Sequence, residues 1–304
     1  MRNFIDFARA LGIIIDSPPP IGYWRRYPTV DKPRHRNGAV KWMGDHGFAQ
    51  NHATDLEVSV WTDASITESD KRDYQKLAND AERERVNLQR RAAQKAASIL
   101  TQCQFAKHPY LKRKGFEDEE ANCYMLEGKQ YMVVPMRVDG HLVGAQIIDE
   151  AGEKKFLYGQ RTSGAEFVFD NKGVHILCEG YATGLSIRKA LKNMKKRYTI
   201  HVCFSAGNMK KIAERLKPDS GIVVADNDAS ATGENVAKEI GWPYWMSDQV
   251  GEDFNDAHQR LGLLKVAMPL ARMVDSLRLT HASAIASAIG RGNVAKPDSS
   301  VTQA

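Results

Sequence analysis

The sequence predicts an α/β protein built on a mainly parallel sheet with flanking helices. An α+β basic subdomain precedes that sheet, and a small N-terminal β-module with a long helix precedes both. Three observations predict this. From Val174 onward, short apolar runs alternate with helical patterns of the length that βαβ units need. Ahead of them, period-two runs broken by Gly-containing turns read as antiparallel strands. Between the two strand-rich stretches lies one long, highly charged helical periodicity. The 304 residues suggest about two domains and suffice for a sizeable core. With 42% hydrophobic and 26% charged residues, a collagen-like, low-complexity or wholly disordered chain is excluded.

Residues 1–64 form the first segment. A short helix is expected over 4–15, ahead of Pro18-Pro19-Pro20, then strands over 22–27, 38–43, 47–51 and 56–62. Asn37-Gly38 and Gly44-Asp45-His46-Gly47 are the breaks between them. Residues 65–105 hold the long helix. Ser65 and Glu68 make a capping-box signature, and Tyr74, Leu77, Ala81, Leu88, Ala92, Ala96 and Ile99 recur at helical spacing over 69–100. Residues 106–172 read as a meander with strands over 131–138, 141–149 and 155–158, turning at Asp139-Gly140. Residues 173–263 alternate strands (174–178, 198–204, 221–225, 243–246) with helices (183–195, 208–216, 233–240, 255–261). Helical patterning resumes over 264–289, either as a docking element or packed on the core, and the polar end, 290–304, is expected to be disordered.

Forty-three Lys and Arg against 37 Asp and Glu leave a net charge of +6, which fits a polyanionic partner but also many ordinary enzymes. No run approaches the roughly 18 apolar residues that span a bilayer. The first 15 residues contain Arg2, Asp6 and Arg9 and no small-residue cleavage site, so no signal peptide and no membrane are expected. Cys103, Cys123, Cys178 and Cys203 form no CxxC pair, which argues against zinc and against a disulfide framework. A cytoplasmic protein is expected, with Cys178 and Cys203 as small core hydrophobes.

In an open α/β sheet, ligands bind at the carboxyl ends of the strands. Those ends carry Glu179-Gly180, Ser205-Ala206-Gly207-Asn208, Asp226-Asn227-Asp228 and Gly251-Glu252-Asp253-Phe254-Asn255-Asp256. In extended backbone Asp226 and Asp228 face the same way, and Glu179 from a neighbouring strand would complete an oxygen-rich cage suited to Mg²⁺ or Mn²⁺. Such a cage holds cations that in turn hold phosphates, which points to phosphoryl transfer. Taken singly the elements are weak: an Asp-x-Asp after a strand is common, and Asp253 also reads as an N-cap. Gly180 and Gly207 serve either a close ligand or a tight turn. The order of the set on successive strands is what points to a cation site.

These residues resemble the Toprim domain of DnaG-type primases, topoisomerases and related nucleases. Segments 179–186 (EGYATGLS), 204–209 (FSAGNM), 223–228 (VVADND) and 251–258 (GEDFNDAH) are most similar to primases of phages and conjugative plasmids, as are 108–115 (HPYLKRKG) and 155–161 (KFLYGQR). The resemblance covers about 106–264. It implies that Glu179, Asp226 and Asp228 are the catalytic, metal-holding acids, with Asp253 near the metal. It places Lys155 and Arg161 toward nucleic acid or nucleotide. Lys112, Arg113 and Lys114 would extend that groove, or form a solvated loop. Thr183 stands where DnaG-type enzymes have an Asp, and the cysteine zinc ribbon that often opens such primases is lacking. The β-module in its place interleaves Arg25, Arg26, Lys32, Arg34 and Arg36 with Trp24, Tyr27 and Trp42. That set would grip single strands, unless the tryptophans are core. His35, His46 and His52 read as polar loop residues. The implied function is a DNA primase that takes single-stranded DNA template and NTPs. The alternatives are a Toprim nuclease, or a non-catalytic module that binds single-stranded DNA or recruits a helicase. A topoisomerase is disfavoured by length. No GxxxxGK[ST] occurs, so any unwinding is expected from a separate replicative helicase.

Overall fold

Apolar runs of the N-terminal stretch that alternate with polar residues close into a small antiparallel meander. The computed structural model describes residues 3–52, 54, 57–63, 67–216 and 220–292. It divides into two compact units, Met1–Arg90 and Arg91–Ala304. In the first, β1 (Trp24–Tyr27), β2 (Gly38–Trp42), β3 (His46–Asn51) and β4 (Ser59–Thr62) pair in sequence order, all antiparallel. Helix α1 (Phe4–Ala10) is capped by Asn3, whose side chain accepts from the Asp6 amide. It ends five residues before the expected stop. Gly12, at φ +75°, turns the chain so that Ile13 and Ile15 enter the core beside Phe4, Val40 and Ala49. Trp42 and Trp61 pack on that core as well, whereas Trp24 is 48% exposed.

Helix α2 (Glu68–Thr101) is the expected long helix. Ser65 of its proposed capping box lies outside the described residues, as do residues 293–304 of the expected disordered tail. Toward its C-terminal end Ala96 is fully buried against Val133 and Ala145, while Leu77 on the earlier turns is exposed.

The second unit holds two five-stranded sheets. The antiparallel one runs β5 (Gln104–Lys107), β6 (Glu120–Leu126), β7 (Lys129–Val138), β8 (His141–Ile148) and β9 (Lys154–Phe156), with the short helix α3 (Pro109–Arg113) between β5 and β6. The other consists of β10 (Phe167–Asp170), β11 (Val174–Cys178), β12 (Tyr198–Val202), β13 (Gly221–Ala225) and β14 (Tyr244–Met246), in the order β10-β12-β11-β13-β14. Only β10, an edge strand, is antiparallel. Helices α4 (Tyr181–Asn193), α5 (Ala206–Leu216), α6 (Thr232–Ile240) and α7 (Phe254–Leu261) follow β11 to β14 in turn. Helix α8 (Leu263–Gly292) buries Val266, Leu270 and Val274 in the main core, so its first turns pack on the sheet. That core is continuous with Leu111, Met132, Val134 and Ile148 of the antiparallel part.

Strand β12 lies on one side of β11, and the chain then crosses to place β13 on the other. The connections leaving β11 and β13 therefore diverge, and a crevice opens at their carboxyl ends, where α/β sheets take ligands. No described helix is long and apolar enough to cross a membrane.

Candidate active site

Glu179 leaves the end of β11 and Asp226 the end of β13, on strands paired in register, with Cys178 opposite Val224. Asp253 reaches the same place through the loop before it. The Gly251 amide donates to the Asn227 carbonyl at 2.6 Å and the Asn227 amide to the Glu252 carbonyl at 3.1 Å. Glu252 is itself held by Arg260 (Nε, 2.6 Å) and by the Ser247 hydroxyl (2.7 Å). Asp253 then caps α7, accepting from the Asp256 amide at 2.8 Å in a capping box. Asp228 turns onto α6. Its carboxylate accepts from the Ser230 amide (2.8 Å), the Thr232 and Gly233 amides (3.3 Å each) and the Ser230 hydroxyl. Asp226 and Asp228 thus lie beyond the end of β13, and only Asp226 is left without such a hold. Helix α6 sits directly on the Asp226 backbone: a Cβ on Gly233 would lie 2.4 Å from its carbonyl oxygen.

The charges of these four acids act on one another. Burial, then Glu179 and Asp253, push the Asp226 carboxyl up to about 7. Burial also raises Glu179, opposed by Lys154 and by the Ala206 amide of α5, which donates to it. For Asp228 burial works upward, but the hydrogen bonds from Ser230, Gly233 and Thr232 outweigh it and hold it below the usual range. Beneath the acids, burial and the charges of Asp226, Asp253 and Glu179 keep Cys178 a thiol well above its ordinary range.

Asp226 Oδ1 is buried with no hydrogen-bond partner, an arrangement that costs free energy unless something accepts its charge. The donor set is all oxygen, as Mg²⁺ and Mn²⁺ require. Among the described residues no group of three His, Cys, Asp or Glu stands close enough together to hold a metal ion; Glu179, Asp228 and Asp253 each accept from the N-terminus of a helix. The residues fit a cation in composition and in the open valence of Asp226.

The basic residues divide differently from the sequence reading. Lys155 is exposed and paired with Glu153 at 3.1 Å. Its neighbour Lys154, not among the expected residues, is the cation that acts on both Glu179 and Asp226. Lys154 also lines a cavity of about 370 Å³ with Tyr110, Arg113, Lys114, Asp256 and Gln259. Lys114 binds Asp256 there at 3.1 Å, and Arg113 donates to the Glu150 carbonyl. The Tyr110 hydroxyl is buried without a partner, and burial and then Asp253 raise its pKa. Lys112 is exposed, and Arg161 Nε donates to the Ser163 carbonyl. Arg25, Arg26 and Arg36 line a separate cavity in the N-terminal unit, where Arg34 is exposed.

Other motif residues are braces. Asn208 accepts from the Gly164 amide (2.7 Å) and donates to the Ala165 and Cys203 carbonyls (2.7 and 2.8 Å). Ser186 on α4 hydrogen-bonds His258 on α7 at 2.9 Å and accepts from Asn255 at 3.0 Å. Gly180 (φ −98°) and Gly207 are not in the left-handed region, and a Cβ on Gly207 would meet nothing within 4 Å, so neither is there for a tight turn. Phe204 is left-handed (φ +66°), and its amide donates to the Glu179 carbonyl at 2.9 Å. This rare backbone for a bulky residue joins β12 to the N-terminus of α5 beside Glu179.

Residues 174–263 match the family model of the Toprim domain, the class to which a parallel sheet with acids on these strand ends is similar. A curated relative, the DNA primase TraC of Escherichia coli, is 26% identical over 218 residues. The match covers 68% of this chain but 19% of that relative's length. No solved structure matches the chain significantly. The chain is therefore similar to a Toprim domain and, over a longer region, to a DNA primase.

Proposed function

We propose that the chain is a DNA primase of the phage or conjugative-plasmid type, which makes short RNA from NTPs on single-stranded DNA. Asp226 carries the reading: its oxygen is buried without a hydrogen-bond partner while the charges of Glu179 and Asp253 act on it, a place where a cation would be stabilised. Glu179 and Asp226 would hold Mg²⁺ or Mn²⁺, backed by Asp228 and Asp253. When bound, the metal would supply charge neutralisation at the phosphates and activate the attacking oxygen. The 3′-hydroxyl of one ribonucleotide attacks the α-phosphate of the next, and pyrophosphate leaves. Glu179, whose proton affinity burial raises, would take the hydroxyl proton. Lys154 faces the same acids and orients the incoming phosphates. The similarity to TraC supports the choice of primase over other Toprim activities.

The test incubates the protein with mixed-sequence single-stranded DNA, labelled NTPs and Mg²⁺ or Mn²⁺. New oligoribonucleotides are expected, and Asp226→Asn should lower their yield about a thousandfold or more. Undiminished synthesis by Asp226→Asn overturns the site. Metal-dependent cutting of the DNA without NTPs would replace the primase with a nuclease that uses the same acids.

A further inference from the structure

The β1–β4 sheet has one face on α1 and one that is not part of that core. Directly paired residues share a face. The register Trp24↔Lys41, Lys41↔Phe48 and Phe48↔Val60 therefore sets those four side chains in one row, opposite the buried Val40 and Ala49. Arg26, two residues on from Trp24, joins the same face. Trp24 is 48% and Val60 57% exposed. The Phe48 ring lies 6.2 Å from that of Trp24 and 5.4 Å from that of His46. The result is a short aromatic row with basic groups set into it.

Strand β1 is also the edge of the sheet. Along it, Arg25, Arg26 and Arg36 line a cavity of about 420 Å³ together with Tyr27 and prolines 18–20. Prolines cannot donate to the strand edge and present a stiff wall. None of the three arginines forms an ion pair among the described residues, and the acids nearest in sequence to the cavity lining are engaged elsewhere: Asp16 with Arg9 and Asp31 with Asn51. Three unpaired guanidinium groups around one cavity suit phosphate oxygens. An aromatic row with Trp24 exposed and Phe48 half-buried beside it suits unpaired bases, which a duplex would hide.

We infer that this edge of the N-terminal sheet binds single-stranded nucleic acid, with phosphates in the three-arginine cavity and bases stacked on the Trp24–Phe48 row. The inference leans on the primase reading only in naming that strand the template.

The experiment measures anisotropy of a labelled oligo-dT, and of an abasic strand of equal length, with the full chain and neither nucleotides nor metal. Trp24→Ala should weaken oligo-dT binding about tenfold and leave the abasic strand unchanged, and Trp24→Phe should restore it. Replacing Arg25, Arg26 and Arg36 together by Gln should weaken both strands and lower the slope of log K against log salt by about 2. These side chains are on the surface, and circular dichroism checks that the fold is kept. Variants that bind like the unmodified chain, or an unmodified chain that does not bind at about 50 mM salt, overturn the inference, and equal affinity for a duplex overturns its choice of a single strand. A chain that binds in this way but makes no primers leaves the inference standing and removes the primase reading. One that makes primers with binding indifferent to these residues does the reverse.

Discussion

The rim of the parallel sheet and the polar braces behind it are built from the same four motifs and treat their polar atoms in opposite ways. At the rim, Asp226 Oδ1 and Thr183 Oγ1 are buried with no partner, and Asp226 and Glu179 have raised pKa values. Among the braces, Asn208 makes three hydrogen bonds, Asn255 and His258 meet Ser186, and Glu252 meets Arg260 and Ser247. Buried polar atoms are nearly always satisfied, so the braces show what this fold does when only stability is at stake. At the rim that rule is suspended for Asp226 and Thr183, as it is for Tyr110 and Thr29 elsewhere, and at the rim the unpartnered carboxylate stands among other acids. Residues of one motif therefore need not share one role.

The sharpest way to break this comparison is to make a brace resemble the rim. Asn208→Ala strands the Gly164 amide and the Ala165 and Cys203 carbonyls in a buried place. We expect a loss of about 3 kcal/mol in urea unfolding, since each orphaned group costs on the order of 1 kcal/mol or more. A loss well below about 1 kcal/mol would mean that water or relaxation replaces the bonds, and the division between brace and rim would lose its energetic meaning.

How far such roles can be read from sequence depends on register. The parallel strands were legible because each is a short apolar run ending in a polar break, and both 174–178 and 221–225 match β11 and β13 to the residue. Strand β10 was not: four residues are too few to show a period, and pairing with β12 is what makes it a strand. Strands β5 and β6, flanked by charges and poor in β-branched residues, were missed for a related reason, and the five residues of α3 are too few to show a helical period. The site shows the same limit at one residue's resolution. A strand side chain changes face with every step, and Lys154 opposite Ile148, not Lys155 opposite Ile147, is the one that acts on the acids. Composition showed a basic strand end, and only the pairing with β8 decides which lysine matters. Asp228 differs in another way. Extended geometry would aim it with Asp226, but the strand has already ended, and the amides at the start of α6 claim its carboxylate.

A second test refills the rim. The Asp226 carboxyl holds its proton up to about 7 when folded, against 3.8 for an ordinary aspartate. The folded state therefore binds more protons across that window, and without metal this group makes stability fall as pH rises through it. A divalent cation must displace that proton, so its stabilisation grows over the same range. At about ten times its dissociation constant, Mg²⁺ or Mn²⁺ should raise Tm above pH 7 by about 3–6 °C, and by less at lower pH. Asp226→Asn should lose the response while unfolding no lower than the unmodified chain in metal-free buffer above pH 7. Calorimetry reads both. A metal response that persists in Asp226→Asn would show that the ion binds elsewhere and that the strained carboxyl is not its anchor.

The smallest expected effect concerns Thr183, on the first turn of α4, three residues from Gly180. The residue is 1% exposed and its hydroxyl has no partner, so it bears a desolvation cost with no bond in return. Valine has nearly the same shape and lacks that cost. If the hydroxyl is idle, Thr183→Val should gain about 1 kcal/mol in urea unfolding and leave primer yield unchanged. If it belongs with Asp226 as an unsatisfied group kept for a ligand, the same gain in stability comes with a fall in synthesis. The comparison of rim and braces favours the second outcome: the other buried polar residue of α4, Ser186, has found its partners in His258 and Asn255. A variant that is both less stable and fully active would place Thr183 among the braces and move the boundary of the rim to Glu179.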